Sequence, residues 1–215
     1  MSHLTSLAFA ILVLVPGIAP LAAQDGRMRP VSPDDYGKWE SLGTGRLSPD
    51  GSWLAVAISR VHDKNELRIH RVEGDSVIVV PYGARPSFSD NGAWVAYTID
   101  ESSQDRDPFE EDDEDVRNDL GLVNLETGEQ TTLKEVQSFS FGARGDYLSM
   151  SRYPAEDDES TASVVVRDLR RGTDVSFGSV ASLAWQDEGA LLAFTVHADE
   201  EVGNGVPLYD ARSGT

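Results

Sequence analysis

One pattern occurs four times along this chain. Residues 45–57 run Gly-Arg-Leu-Ser-Pro-Asp-Gly-Ser-Trp-Leu-Ala-Val-Ala, and residues 86–97, 139–150 and 183–194 repeat the plan. Each copy has an apolar residue, a polar turn ending in Gly, one small or polar residue, and then a large apolar residue that opens a strand. The turn pairs Asp50-Gly51, Asn91-Gly92, Arg144-Gly145 and Glu188-Gly189 supply a glycine able to take positive φ where antiparallel strands reverse. After each copy a second hairpin is expected, turning at Gly74, Gly128, Gly172 and Gly214. Two hairpins in series make a four-stranded antiparallel sheet. The first-hairpin glycines recur at intervals of 41, 53 and 44 residues, the spacing of propeller blades. The sequence therefore predicts an all-β fold, a β-propeller of about four blades at 43–83, 84–136, 137–179 and 180–215. The last of them is expected to lack its outer strand. Successive apolar residues over 53–58, 77–80 and 163–166 predict sheets covered on both faces by their neighbours. An unclosed ring leaves a blade face and sheet edges uncovered, so the chain is expected to be a fragment of a longer protein.

The start of the chain is set apart. Residues 7–15 are apolar and are followed by Pro16, Gly17, Pro20 and then Leu21-Ala22-Ala23, the form of a signal peptide over residues 1–23. The run is too short and too interrupted for a transmembrane anchor, which needs roughly 18 or more apolar residues. Export to a periplasm or the exterior follows as an expectation. Residues 24–42 form a lead-in, in which Ser32 to Glu40, with Trp39, reads either as the start of a short capped helix or as a stretch packed under the ring. With 18 Lys plus Arg against 37 Asp plus Glu, the net charge is -19, which repels nucleic acid and anionic membrane surfaces alike. Cysteine is absent, which removes disulfides and thiolate metal sites.

Candidate chemistry is sparse. Residues 107–115 hold seven carboxylates, an insertion that lengthens the second interval. Calcium is the specific reading of that run, but it lacks alternating acidic spacing about a central glycine, so a solvated loop is expected. Residues 156–159 are read the same way. The histidines His3, His62, His70 and His197 lie at no metal-ligand spacing, and His62 beside Asp63 reads as a turn. The tryptophans Trp53, Trp94 and Trp185 read as blade core. No Gly-x-Ser-x-Gly elbow occurs, so no catalytic, metal or cofactor-binding residue is assigned, and the chain alone is expected to be inactive.

The segment Leu47-Ser48-Pro49-Asp50-Gly51-Ser52-Trp53-Leu54-Ala55 resembles the repeat of bacterial periplasmic propellers, found in TolB-like proteins and in the prolyl oligopeptidase family of serine peptidases. The lead-in Asp34-Asp35-Tyr36-Gly37-Lys38-Trp39-Glu40 is similar to the start of secreted members of the peptidase family. That resemblance spans residues 30–215 and implies a non-catalytic propeller that gates access of a peptide substrate. The partner it implies is an α/β-hydrolase domain carrying the Ser-Asp-His triad. The TolB-like resemblance implies instead a module that binds a protein or peptide.

Overall fold

The computed structural model describes residues 30–61, 64–100, 117–154, 162–196 and 204–215. The chain divides into residues 1–33 and a compact unit, Asp34–Thr215, which holds every described strand. The first blade is β1 (Glu40–Leu47), β2 (Trp53–Arg60), β3 (Glu66–Arg71) and β4 (Val77–Pro81); the second is β5 (Gly83–Phe88), β6 (Trp94–Ile99), β7 (Asp119–Asn124) and β8 (Gln130–Leu133). Each is an antiparallel meander in sequence order. The third and fourth blades share a strand: β9 (Val136–Phe141), β10 (Tyr147–Arg152), β11 (Ala162–Asp168), β12 (Thr173–Trp185), β13 (Leu191–Val196) and β14 (Leu208–Asp210) form one ladder. Residues 173–180 of β12 pair with β11 and residues 180–185 with β13, so β12 ends one blade and begins the next.

The first-hairpin turns are built alike. Gly51 N–H donates to Ser48 O, Gly92 N–H to Ser89 O and Gly145 N–H to Gly142 O, each at 2.9 Å, with the three glycines at φ 72°, 67° and 69°. The fourth copy departs from expectation: Gly189 has no positive φ. There the flexible end of the Gln186 side chain folds back over the turn, to within 1.8 Å of where a Gly189 Cβ would stand, so this turn does not use the left-handed conformation of the other three. The second hairpins use a side-chain cap. Asn124 Oδ1 accepts from the N–H groups of Glu126 and Thr127, and Asp168 Oδ1 from those of Arg170 and Arg171. Gly128 and Gly172 close these turns at positive φ.

A third recurrence has no glycine to mark it. Tyr82, Glu135 and Ser179 sit at φ 56°, 53° and 54°, each at the passage from one blade to the next and each ten residues ahead of a first-hairpin glycine. A single left-handed residue redirects the chain there from the last strand of one sheet to the first strand of the following one.

The core lies between blades. Ala55, Leu67, Ile69 and Val80 of the first pack against Val95, Tyr97, Val123 and Leu125 of the second. Ala96, Leu120 and Leu122 meet Leu148, Met150 and Leu169 of the third. Val164 and Val166 meet Leu192, Phe194, Tyr209 and Ala211 of the fourth. The tryptophans Trp53, Trp94 and Trp185 are half-buried against these clusters. The expectation that strand 77–80 is covered on both faces does not hold. Ile78 and Val80 face the second blade, whereas Val77 and Val79 point away from it, where no described residue covers them, and are 42% and 51% exposed. Of the two readings of the lead-in, a short helix is present, a 3-10 helix at Pro33–Lys38, whereas Trp39 is not tucked beneath the ring: it is 51% exposed, with its ring 4.8 Å from that of Tyr36.

Candidate interaction surfaces

Three surfaces collect polar or apolar groups. The first is the rim made by the first-hairpin turns. Ser48 Oγ donates to Asp50 Oδ1 at 2.6 Å and accepts from Trp53 N–H at 2.9 Å, while Ser52 N–H and Ser52 Oγ donate to the same carboxylate. These hydrogen bonds, led by that of Ser48, hold the Asp50 carboxyl down at about 2. Asn91 plays the same part in the second blade, accepting from Ser89 Oγ at 2.7 Å and Ala93 N–H at 3.0 Å. The carboxylate is thus consumed in building the turn.

The second surface is a cleft of about 340 Å³ between the first strands of the third and fourth blades. Ser138, Ser140, Ser151 and Ser182 line it beside the half-buried rings and chains of Phe139 and Leu183. At its base Ser149 is buried, donating to Ser140 O at 3.1 Å and accepting from Trp185 Nε1 at 2.9 Å. Among the described residues its lining contains neither an imidazole nor an amine that would activate a hydroxyl. Such a cleft can exchange hydrogen bonds with neutral polar groups.

The third surface is the open face of the first blade. Arg60 bonds Glu40 and Glu66 at 2.6 Å each, and Arg68 reaches Glu66 at 2.6 Å and Glu40 at 2.8 Å. Hydrogen bonds from Arg68 and Arg60 lower the Glu40 carboxyl to about 2. Burial acts against ionisation of Glu66, but the two guanidinium groups together outweigh it and its pKa is also lowered. Register places Leu47, Leu54, His70 and Val77 in one row of that face and Gly45, Val56, Arg68 and Val79 in the next.

Of the candidates named from sequence, His70 lies on this open face, and among the described residues no group of three or more His, Asp and Glu could hold a metal. His3, His62, Asp63, His197 and the acidic runs 107–115 and 156–159 lie outside the described residues, as does the signal segment 1–23. The serine cleft was not anticipated: its residues become neighbours only when two blades stack. The four-charge network left one trace, the spacing of Glu66 and Arg68 on a single strand face.

No family model matches the sequence, and no curated protein matches it. Solved structures do. The propeller domain of the trilobed protease from Pyrococcus furiosus, described as having an open velcro topology, aligns with a TM-score of 0.52 at 14% identity, covering 80% of this chain and 54% of that one. A prolyl endopeptidase aligns at 0.52 with 17% identity over 82% of this chain and 28% of its own, and oligopeptidase B from Leishmania major at 0.51 with 12% identity over 82% and 25%. The chain therefore spans about half the length of the first and roughly a quarter of the others. At these identities the likeness speaks to architecture, and with the meandering sheets, the recurrent turns and the cores lying between blades, it establishes the fold as β-propeller.

Proposed function

We infer that this chain is the non-catalytic propeller portion of an exported serine peptidase of the prolyl oligopeptidase type, gating peptide access to an α/β-hydrolase domain and docking against it. One observation carries the reading: the turn typified by Ser48-Pro49-Asp50-Gly51 recurs along blades that align, over four-fifths of the chain, with the propeller of a protease. The neutral, hydroxyl-lined cleft between the third and fourth blades supports it, because such walls can pair with peptide N–H and C=O groups without selecting for charge.

The coding sequence beyond Thr215 in its own locus tests this directly. The expected finding is an in-frame continuation into further blades and a Gly-x-Ser-x-Gly elbow, whose product cleaves short chromogenic peptides and is silenced by a serine-directed phosphonate. A stop after the last blade would overturn it in favour of a binding module. The 215-residue chain alone is expected to leave such peptides intact; phosphonate-sensitive turnover by it would contradict the assignment of the chemistry to another domain.

A further inference from the structure

The repeat supplies its own standard for the junction between the third and fourth blades. Four residues after the first-hairpin glycines stand Ala55, Ala96, Ser149 and Ala193, and four residues before them stand Leu47, Phe88, Phe141 and Trp185. The one blade with serine at the first position meets the one blade with tryptophan at the second, and there Trp185 Nε1–H donates to Ser149 Oγ at 2.9 Å. Seven residues before the glycine the second blade has Arg85, bonded to Thr98 Oγ1 at 3.1 Å, whereas the third has Ser138, paired with Ser151 across β9 and β10. These departures from the repeat coincide at the cleft of about 340 Å³. Among the described residues, the Ser138 and Ser151 hydroxyls donate to no protein group, and no charged side chain lines the cleft.

We propose that this cleft holds an extended, uncharged segment of peptide. Two strand edges flank it. Among the described strands β9 pairs with β10 alone, and residues 182–185 of β12 pair with β13 alone, so each presents backbone N–H and C=O groups along its free side. Further blades would stack on sheet faces, so these edges stay open in a completed ring. An extended peptide is the ligand whose alternating N–H and C=O groups match a strand edge. Hydroxyls both donate and accept, so Ser138 and Ser151 can take up whichever peptide groups the edges leave unmatched. The half-buried Phe139 and Leu183 suit small neutral side chains. A charged one would give up hydration and meet no counter-ion in the lining. The peptide's role as a substrate rests on the reading of this chain as part of a peptidase; its recognition by the cleft does not.

Proton–nitrogen correlation NMR of the purified chain tests this, titrated with the blocked peptide acetyl-Ala-Ser-Ala-Ser-Ala-amide and with copies carrying Lys or Glu in place of the central alanine. The expected result is a saturable shift of the Trp185 indole N–H and of β9 amides, with affinity about tenfold or more lower for either charged copy. Ser138→Val combined with Ser151→Val should weaken binding of the neutral peptide about tenfold, whereas Ser138→Thr combined with Ser151→Thr, of the same bulk with the hydroxyls kept, should stay within about threefold of the parent chain. Equal affinity for neutral and charged peptides, equal loss in the valine and threonine variants, or no saturable shift at about 10 mM peptide would each overturn the proposal. The charge series needs no variant, so a valine variant that fails to fold leaves the test intact. Binding by a chain whose locus encodes no hydrolase would keep the cleft and end the peptidase reading; an encoded elbow without binding would end the cleft alone.

Discussion

Gly51 and Gly145 share a backbone conformation and differ in surroundings. A Cβ at Gly51 meets nothing within 4 Å, whereas one at Gly145 comes within 2.6 Å of Ser89 Cβ and 2.8 Å of Asn91 Oδ1, because each rim turn rests on the turn of the blade before it. Gly51→Ala is therefore expected to cost only the left-handed penalty of about 1–2 kcal/mol. Gly145→Ala adds overpacking of about 1–3 kcal/mol, a difference that urea denaturation of the two variants measures. Asp50 gives a second prediction at this scale. Its folded pKa of about 2 lies below the ordinary 3.8, so its contribution to stability is complete above about pH 4 and fades as pH falls toward 2. Asp50→Asn should keep the turn, as Asn91 does in the second blade, and flatten the dependence of the melting temperature on pH in that window. The turn glycines were legible in sequence. The left-handed Tyr82, Glu135 and Ser179 were not, because the demand for positive φ there comes from the path between sheets and not from side-chain type.

At the scale of the strand, Gly121 illustrates how a blade accommodates an aromatic residue. It pairs with Tyr97 across β6 and β7, and the phenol ring lies over it so closely that a Cβ would fall 2.1 Å from a ring carbon. Burial pushes the Tyr97 hydroxyl up to about 12, so it stays neutral across the ordinary pH range. Gly121→Ala is expected to destabilise by about 1–3 kcal/mol by displacing that ring from the junction with the first blade, with loss of near-ultraviolet tyrosine dichroism as the check. Gly178→Ala, at a site where a Cβ meets nothing within 4 Å, serves as the control and should be close to neutral. Strand existence followed from turn spacing and apolar runs. That β12 serves two blades did not, since its continuity through Ser179 depends on how two sheets are stacked.

For the whole molecule, the balance is between apolar burial at the junctions between blades and a net charge of -19 that opposes compaction. Raising the salt concentration from about 0.02 M to about 0.5 M shortens the screening length severalfold. It should therefore raise the midpoint of thermal unfolding of the chain, since screening weakens repulsion within the folded unit; a midpoint that falls with salt would show that ion pairs such as Arg60–Glu40 and Arg68–Glu66 outweigh that repulsion.

The sequence by itself determined the unit of construction. A glycine reversal followed by an apolar strand, repeated at blade spacing, permits little besides small antiparallel sheets, because turn chemistry and strand period are local properties. Tertiary structure decided which faces are covered. Val80 and Val79 are neighbours of the same type, yet one is buried in the junction with the second blade and the other is half exposed, because cover depends on whether another sheet stands on that side. The serine cleft has that origin, since its residues meet only after the third and fourth blades are laid against one another, whereas the four-charge network forms within the first blade, where pairing of three strands brings Glu40, Arg60, Glu66 and Arg68 together.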